Sequence, residues 1–358
     1  MAITYHAGRR IQGTSTDFGT DGAGIPAVAT QGGWKEIART TLGSASSSLA
    51  NLGFADKEYY MFLIDEKGQN GAATNNFFRN GSGGVIDTGS NYASRQNSNN
   101  TGYSNSTNNS NVLCPISSAN PVFHVHYGCN LAGQEKLFTG SKIDLIITGL
   151  SNPYRKTFTW KHAQTSSPLD SFELNTGGSN TYNSGSELVV LGWDPEDTHT
   201  TNFWEELDDV SWSSGGTISS NTFTAKKYLW VQGWYTTDNT NGNVRMTFNG
   251  DNTSSYAMRY NTGGGSDEVV NSSTYLYVQV GGDQNNTVFF NYFIINNASA
   301  EKLIIGRNNL NNTAGAGNIP IRNESAYKYT GTAQITSLSI ARSSGSYGSG
   351  QIKVWGSN

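Results

Sequence analysis

An internal repeat constrains the fold of this 358-residue chain more than any other feature of its sequence. Residues 120–140 align with residues 286–306 without a gap, at an offset of 166 positions, and nine positions are identical. Shorter matches follow in the same order: 34–37 with 204–207, 54–62 with 223–231, 78–81 with 248–250, and 92–95 with 256–259. Matches in one order at nearly one offset indicate that a single folding unit occurs twice.

The repeat predicts four parts of the chain, with boundaries at residues 33, 193 and 201. Residues 1–33 would form an N-terminal arm, 34–193 the first repeat, 194–201 a polar linker and 202–358 the second repeat. The first 33 residues hold only three short apolar patches, too few for a core. They would be either an extended arm that packs on a neighbouring subunit or a flexible leader, and we favour the arm.

Alternation of apolar and polar residues dominates both repeats and predicts β-strands. The predicted strands are 59–64, 122–127, 143–148, 188–191, 228–234, 244–248, 275–280 and 288–295. Asn- and Gly-rich turns separate them, and no segment shows a helical period. The chain is therefore predicted to be all-β, as two tandem antiparallel β-sandwiches of the jelly-roll or concanavalin-like type. Residues 96–111, rich in Asn, Ser and Thr, are predicted to form a long exposed loop.

Composition excludes several classes of protein. The net charge is -4 and no cluster of Lys and Arg occurs, so nucleic acid is not an expected partner. No run of about 20 apolar residues is present, which argues against a membrane span. The N-terminus lacks the apolar core of a signal peptide.

Cys114 and Cys129 could form a disulfide bond across a hairpin or be free, and the missing signal peptide favours free thiols.

His124 and His126 form a candidate pair of metal ligands. They stand two residues apart in a predicted strand, so both side chains should lie on one face of the sheet. No third ligand stands at a recognisable spacing. The second repeat has Phe290 and Tyr292 at the matching positions, which instead favours an aromatic or half-buried face.

The densest acidic region surrounds the predicted linker and includes Asp194, Glu196 and Asp197. Carboxylate oxygens suit Ca²⁺, the one cofactor that the sequence suggests, although the spacing is not that of an EF-hand. A solvated linker is the alternative interpretation.

Several paired residues are candidates for structural or interaction roles: Arg95 and Arg259 in two Tyr-Ala-x-Arg motifs, Glu135 and Glu301 in two Glu-Lys-Leu motifs, and Trp230 and Trp234. An arginine stem can cover a sheet while its guanidinium donates to nearby carbonyls. The glutamates are interpreted as parts of matching turns. The tryptophans would either fill the sandwich core or stack on sugars.

Catalytic patterns are missing from the sequence. It contains no Gly-x-Ser-x-Gly element and no glycine-rich phosphate loop followed by Lys and Ser or Thr. Carboxylate pairs of the glycosidase type would have to come from distant strands, and acidic residues outside the linker region are few. We therefore predict that the chain is not an enzyme.

Residues 1–13, 33–36 and 185–194, together with the motifs at 248–251 and 255–259, resemble virion structural proteins of marine tailed phages. The resemblance implies a virion surface component, either capsid decoration, tail or receptor-binding part. The missing signal peptide fits a virion protein that is made in the host cytoplasm. Strand edges, the N-terminal arm and the aromatic-rich faces suit self-assembly as a homo-oligomer and contact with other virion proteins. The first repeat departs from the pattern, because Ser82 follows its Asn-Gly where the second repeat has Asp251.

These observations predict a non-enzymatic virion structural protein that assembles with itself. A module that binds host glycans, as a receptor-binding part would, is the alternative. A glycan-degrading enzyme is the third hypothesis.

Overall fold

The computed structural model describes most of the residues of the chain. These are 33–71, 75–115, 119–195, 197, 201–238, 240–279, 286–311, 316–317 and 319–358. The predicted N-terminal arm lies outside them, apart from Gly33. The described residues form strands, turns and bends and no helix, so the all-β prediction is confirmed.

The first repeat contributes fifteen strands among the described residues. They are β1 (Lys35–Thr41), β2 (Ser48–Asn51), β3 (Tyr59–Glu66), β4 (Gln69–Asn70), β5 (Asn75–Ser82), β6 (Val85–Ile86), β7 (Tyr92–Ser98), β8 (Tyr103–Asn109), β9 (Val112–Pro115), β10 (Val122–Cys129), β11 (Lys136–Asp144), β12 (Tyr154–His162), β13 (Ser171–Asn175), β14 (Thr181–Tyr182) and β15 (Glu187–Trp193). An eight-stranded sheet has the order β1-β15-β3-β10-β11-β12-β7-β8. A five-stranded sheet has the order β2-β13-β5-β6, with β9 also paired to β5, and β14 pairs with β4.

The second repeat contributes twelve described strands. They are β16 (Glu205–Trp212), β17 (Thr217–Ser219), β18 (Tyr228–Thr237), β19 (Val244–Phe248), β20 (Tyr256–Thr262), β21 (Glu268–Ser273), β22 (Leu276–Gln279), β23 (Thr287–Ile295), β24 (Lys302–Leu310), β25 (Ile321–Tyr329), β26 (Leu338–Arg342) and β27 (Tyr347–Ser357). Its eight-stranded sheet has the order β16-β27-β18-β23-β24-β25-β20-β21, and its smaller sheet the order β17-β26-β19-β22. The large sheets of the two repeats thus have the same strand order, position by position.

Each repeat has its own core between its eight-stranded sheet and the smaller sheet that packs on it. In the second repeat, Val231 and Phe290 of the large sheet belong to the same buried cluster as Met246 and Ile340 of the small sheet. An equivalent cluster fills the first repeat. Apolar faces of two antiparallel sheets packed on one another define a β-sandwich, so the prediction of two such sandwiches is confirmed.

The chain divides into two compact units. One comprises the described residues of Met1–Asp144 and Lys156–Glu205, and the other comprises Leu145–Arg155 and Glu206–Asn358. The segment Leu145–Arg155, which follows β11 along the chain, is therefore part of the second unit. The prediction of a strand at 143–148 was wrong for residues 145–148, because β11 spans Lys136–Asp144 and ends there.

The prediction of a long loop over residues 96–111 was wrong. This segment contains the end of β7 and all of β8, which pair as an antiparallel hairpin at the edge of the large sheet. Asn99 and Asn100 form the turn with positive φ values of 47° and 54°, a conformation that asparagine tolerates better than most residues. β8 has no buried residue, so its sequence carries no apolar alternation to indicate a strand.

An asparagine shared by both copies makes the same hydrogen bonds in each. Asn130 accepts through Oδ1 from the backbone N–H of Leu169 at 2.8 Å, and its amide donates to the carbonyl of the same residue. Asn296 does both with Ile335, at 2.7 and 3.1 Å. The identities in the aligned segments therefore include residues that fix loops to the sandwich.

The lysine of the two Glu-Lys-Leu motifs is likewise buried in both copies. The ammonium group of Lys136 donates to the carbonyl of Leu131, and that of Lys302 to the carbonyl of Asn297, each at 2.6 Å. Each lysine thus satisfies carbonyl oxygens of the turn that precedes its own strand.

Candidate functional site

The outer face of the large sheet in the second repeat presents two exposed aromatic side chains. Tyr235 and Phe290 belong to the core, so their neighbours Trp234 and Phe289 must lie on the opposite face of the sheet. Trp234 is 40% exposed and Phe289 is 47% exposed. Large apolar side chains that remain exposed next to one another are typical of a binding surface.

The strand register places these two rings in a line of five side chains. Trp234 pairs with Gln351 on one side and with Phe289 on the other. Phe289 pairs with Asn309, and Asn309 pairs with Arg322. We call Gln351, Trp234, Phe289, Asn309 and Arg322 the Trp234 row. Five adjacent strands at ~4.8 Å spacing give the row a length of about 19 Å.

The row ends in polar groups on both sides of the rings. Gln351 donates from Nε2 to Oδ1 of Asp209 at 2.8 Å. The Arg322 side chain is 58% exposed, and its Nη1 lies 3.9 Å from Oε1 of Glu324. The Trp234 row therefore offers two flat apolar faces flanked by amide and guanidinium groups.

Trp230, the other tryptophan singled out in the sequence, supports this face and is not exposed itself. Its ring stacks on Phe293 with centroids 5.3 Å apart, and Trp355 packs against it at the same distance. Its indole N–H donates to Oδ1 of Asn291, which also accepts from Gln232. These contacts stiffen β18 and β23 beside the two exposed rings.

The first repeat has different residues at the corresponding positions. Asp65 pairs with Glu187 and Phe123, and Phe123 pairs with Ile143. All four side chains are buried, and two of them are carboxylates. An exposed aromatic row is therefore a feature of the second repeat and is not shared by the first.

The two arginines of the Tyr-Ala-x-Arg motifs have different surroundings. Arg95 is exposed and places its guanidinium over the Tyr103 ring, 4.2 Å from the centroid. Arg259 donates from Nε to the carbonyl of Pro153 at 2.9 Å, and its Nη1 lies 3.8 Å from Asp267. Burial lowers the pKa of Arg259.

The two glutamates of the Glu-Lys-Leu motifs also differ in their contacts. Glu135 is exposed and accepts from Lys161 at 2.8 Å. Glu301 accepts from the backbone N–H of Gly149 at 2.6 Å and lies 3.7 Å from Lys328.

The acidic residues that suggested Ca²⁺ are held by a lysine. Lys57 donates to Asp194 at 2.9 Å and also to Asp197, and Asp197 accepts from the backbone N–H of Asp194. Glu196 lies outside the described residues. In the part of the chain that the structure describes, no group of three or more His, Cys, Asp or Glu side chains is arranged to hold a metal ion.

His124 and His126 are fully buried in the core of the first repeat, inside a cluster of charged residues that the sequence analysis did not predict. Nε2 of His124 lies 2.6 Å from Oε1 of Glu66, and Nδ1 of His124 lies 3.3 Å from Nε2 of His126. Lys142 and Asp144 form an ion pair of 2.8 Å beside them. The second repeat has uncharged residues at the matching positions: Tyr235, Phe290, Tyr292, Asn308 and Leu310.

Burial sets the protonation of this cluster. It raises the pKa of Glu66 to about 8 and lowers the pKa values of His124 and His126 well below their usual value. The pair of Glu66 and His124 therefore shares one proton at neutral pH. Both residues have no exposed surface, so this cluster cannot contact a ligand in the folded structure. One feature of the sequence could have predicted this cluster. Inward and outward residues alternate along β10 and β11, and this alternation places His124, Lys142 and Asp144 on inward positions.

Both cysteines are free, with Cys114 buried and Cys129 partly buried. No helix in the described part of the chain has the length and apolar character needed to cross a membrane. Because the histidine cluster is buried and Lys57 binds the acidic residues Asp194 and Asp197, the candidate functional site of this chain is the Trp234 row.

No family model and no curated protein matches this chain. Among solved structures, domains LG4-5 of the mouse laminin alpha1 chain are similar at 9% identity, covering 89% of this chain and 88% of that one, with a TM-score of 0.19. The LG1-3 region of the laminin alpha2 chain is 10% identical, covering 87% and 64%, also with a TM-score of 0.19. The outer membrane protease OmpT of Escherichia coli is 7% identical, covering 85% and 99%, with a TM-score of 0.12. With TM-scores this low, the fold assignment stands on the strands and sheets described above.

Proposed function

We propose that this chain is a non-enzymatic virion surface protein whose second sandwich binds host glycans. The Trp234 row is the observation that carries the proposal of glycan binding. Two exposed rings on neighbouring strands, flanked by amide and guanidinium donors, combine the apolar and polar contacts that a sugar chain requires.

A pyranose ring has an apolar face formed by its C–H groups and an edge of hydroxyl groups. Stacking that face on an indole or phenyl ring removes apolar area from water, while the hydroxyls remain free to accept from Asn309 or Arg322. A sugar face that covers ~60 Å² of Trp234 contributes ~1.5 kcal/mol at ~25 cal/mol per Å², which is about tenfold in affinity. Adjacent strands are about 5 Å apart, a spacing close to the rise of one sugar in an extended chain, so Trp234 and Phe289 can stack on successive sugars.

Binding of the full chain to a glycan array and to immobilised polysaccharides tests this proposal. Trp234→Ala and Phe289→Ala should each weaken binding to any glycan that the chain recognises by about tenfold. Tyr103→Ala is the matched control, because it removes an exposed aromatic side chain from the first repeat, and it should leave binding unchanged. Equal affinities of the native chain and Trp234→Ala for every bound glycan would contradict the proposal.

The proposal that the protein is a self-assembling part of a virion is supported by the resemblance of its sequence motifs and by the absence of recognisable catalytic motifs. Mass measurement of the intact chain over a range of concentrations tests self-assembly, with a homo-oligomer as the expected result. A chain that stays monomeric at high concentration would contradict it. Release of reducing ends from a polysaccharide that the chain binds would contradict the non-enzymatic part of the proposal.

A further inference from the structure

We infer that the glycan bound by the Trp234 row is an anionic polysaccharide, with its carboxylate or sulfate groups placed over β24 and β25. This inference rests on the proposed function, because it assumes that sugars stack on Trp234 and Phe289. The charges at the Arg322 end of the row carry it.

A neighbouring arginine already satisfies the carboxylates at this end of the sheet. Arg155 donates to Asp267 through Nε at 3.1 Å and through Nη2 at 2.6 Å. Its third nitrogen, Nη1, donates to Glu324 at 3.0 Å. The 3.9 Å separation between Arg322 and Glu324 is beyond hydrogen-bond distance, so the exposed guanidinium of Arg322 keeps its donors available.

The arginines around Glu324 hold its carboxylate in the charged form. Burial raises the pKa of Glu324, but the hydrogen bond from Arg155 and the charges of Arg307, Arg155 and Arg322 outweigh burial and lower it. Arg307 pairs with Glu324 across β24 and β25 and is exposed. Asp267 and Glu324 thus already accept hydrogen bonds from Arg155, and among the described residues Arg322 has no carboxylate at hydrogen-bond distance, so an anionic group on a ligand would supply that acceptor.

The geometry of the row fits this ligand better than another polyanion. The guanidinium lies two strands beyond Phe289, so an anion bound by Arg322 would belong to a sugar about 10 Å from the one stacked on that ring. The net charge of the chain is -4, so a polyanion gains no general attraction from the protein as a whole. A nucleic acid would need a longer basic track than two exposed arginines.

Two pairs of matched polymers test the inference on the full chain. Polygalacturonate and fully methyl-esterified pectin share one backbone and differ in free carboxylate, while dextran sulfate and dextran differ in sulfate. We expect the native chain to bind at least one charged polymer about tenfold more tightly than its neutral counterpart, as for a hydrogen bond to a charged group. The charged pair that shows the preference identifies the anion.

Arg322→Gln should abolish this preference, so that charged and neutral polymers bind this variant equally, whereas Trp234→Ala should weaken binding to every polymer and keep the preference. Arg95→Gln makes the same charge change on the first repeat and should leave the preference intact. Equal binding of charged and neutral polymers, a preference that survives Arg322→Gln, or its loss in Arg95→Gln would overturn the inference and leave the proposed function standing. Tighter binding to an oligo-dT strand than to the charged polysaccharides would also overturn it. Failure of every polymer to bind would overturn both.

Discussion

Replacing Glu66 with glutamine should remove the pH dependence of the first repeat's stability between pH 6.5 and about 8. Glu66 is fully buried, with Oε1 at 2.6 Å from Nε2 of His124 and Oε2 accepting from the amide of Asn76 at 3.3 Å. The charges of Lys142 and Asp144 act on the Glu66 pKa in opposite directions, so burial sets it at about 8. Glutamine keeps the shape of the side chain and does not titrate.

The direction and size of this pH dependence are set by the difference in bound protons between the folded and the unfolded state. Above pH 6.5 the unfolded chain has lost its protons from both Glu66 and His124, whose ordinary pKa values are 4.5 and 6.5. The folded pair keeps one proton until the pH reaches about 8. The folded state then binds one more proton than the unfolded state, so stability falls by ~1.4 kcal/mol per pH unit and by ~2 kcal/mol over this window. That is a shift of about 4–8 °C in melting temperature.

Below pH 6.5 the stability changes with pH in the opposite direction, because a different residue titrates. The unfolded chain protonates His126, whose folded pKa is well below 6.5, so stability falls as the pH falls. Glu66 and His124 cancel one another between pH 4.5 and 6.5, because the unfolded chain then carries its proton on the histidine. The native first repeat should therefore be most stable near pH 6.5. The stability of Glu66→Gln should not fall between pH 6.5 and about 8, because burial lowers the pKa of Lys156 to about 8 and the titration of this lysine acts in the opposite direction.

Cys114 provides an assay that reports on the first repeat alone. Its thiol is fully buried, and burial raises its pKa to about 12, so it should react with an alkylating reagent only when this repeat unfolds. The urea concentration at which a short pulse labels Cys114 should fall with pH between 6.5 and 8 in the native chain and stay level in Glu66→Gln. Glu135→Gln, at an exposed position of the same repeat, is the matched control and should behave as the native chain. Parallel curves for the native chain and Glu66→Gln would refute the reasoning.

Two further predictions concern residues that the repeats share, and urea unfolding of the second repeat checks both. Gly306→Ala would place a Cβ 2.5 Å from the Tyr292 ring and should destabilise the fold by ~2 kcal/mol, whereas Gly216→Ala, which has open space around it, should change stability little. Lys302→Met should cost ~2–3 kcal/mol, because three carbonyl oxygens lose their donor; a variant as stable as the native chain would contradict that role.

The sequence predicted strands well where one face of a strand lies in the core. Residues 244–248 were predicted as a strand, and β19 runs over the same residues, because buried and half-buried positions alternate along it. The hairpin of β7 and β8 was missed for the opposite reason. β8 is exposed on both faces, and its pairing depends on the Asn99–Asn100 turn and on the edge of a sheet that only the folded chain provides.

The candidate site could be predicted only in part. Trp234 was recognised as a residue that could stack on sugars, but the four other members of the Trp234 row come from four other strands. Only the register of the folded sheet aligns them, since Phe289 and Arg322 are far apart along the chain. The alternation of inward and outward side chains along a strand could have predicted that these two rings are exposed. Trp234 and Phe289 each precede a core residue in their strands, so they must point outward.

The two repeats differ in the side chains at a few matching positions, which are charged in the first repeat and aromatic in the second. Both copies keep the same strand order and the same bonds from Asn130 and Asn296, so the register of the strands does not depend on the residues that differ. At one pair of adjacent positions, the first repeat has Asp65 and Glu66, and the second has Trp234 and Tyr235. The first copy thus encloses a charged network, which costs desolvation energy that an apolar core avoids. The second copy keeps an uncharged core at these positions and presents its aromatic side chains to solvent, which is where a ligand can reach them.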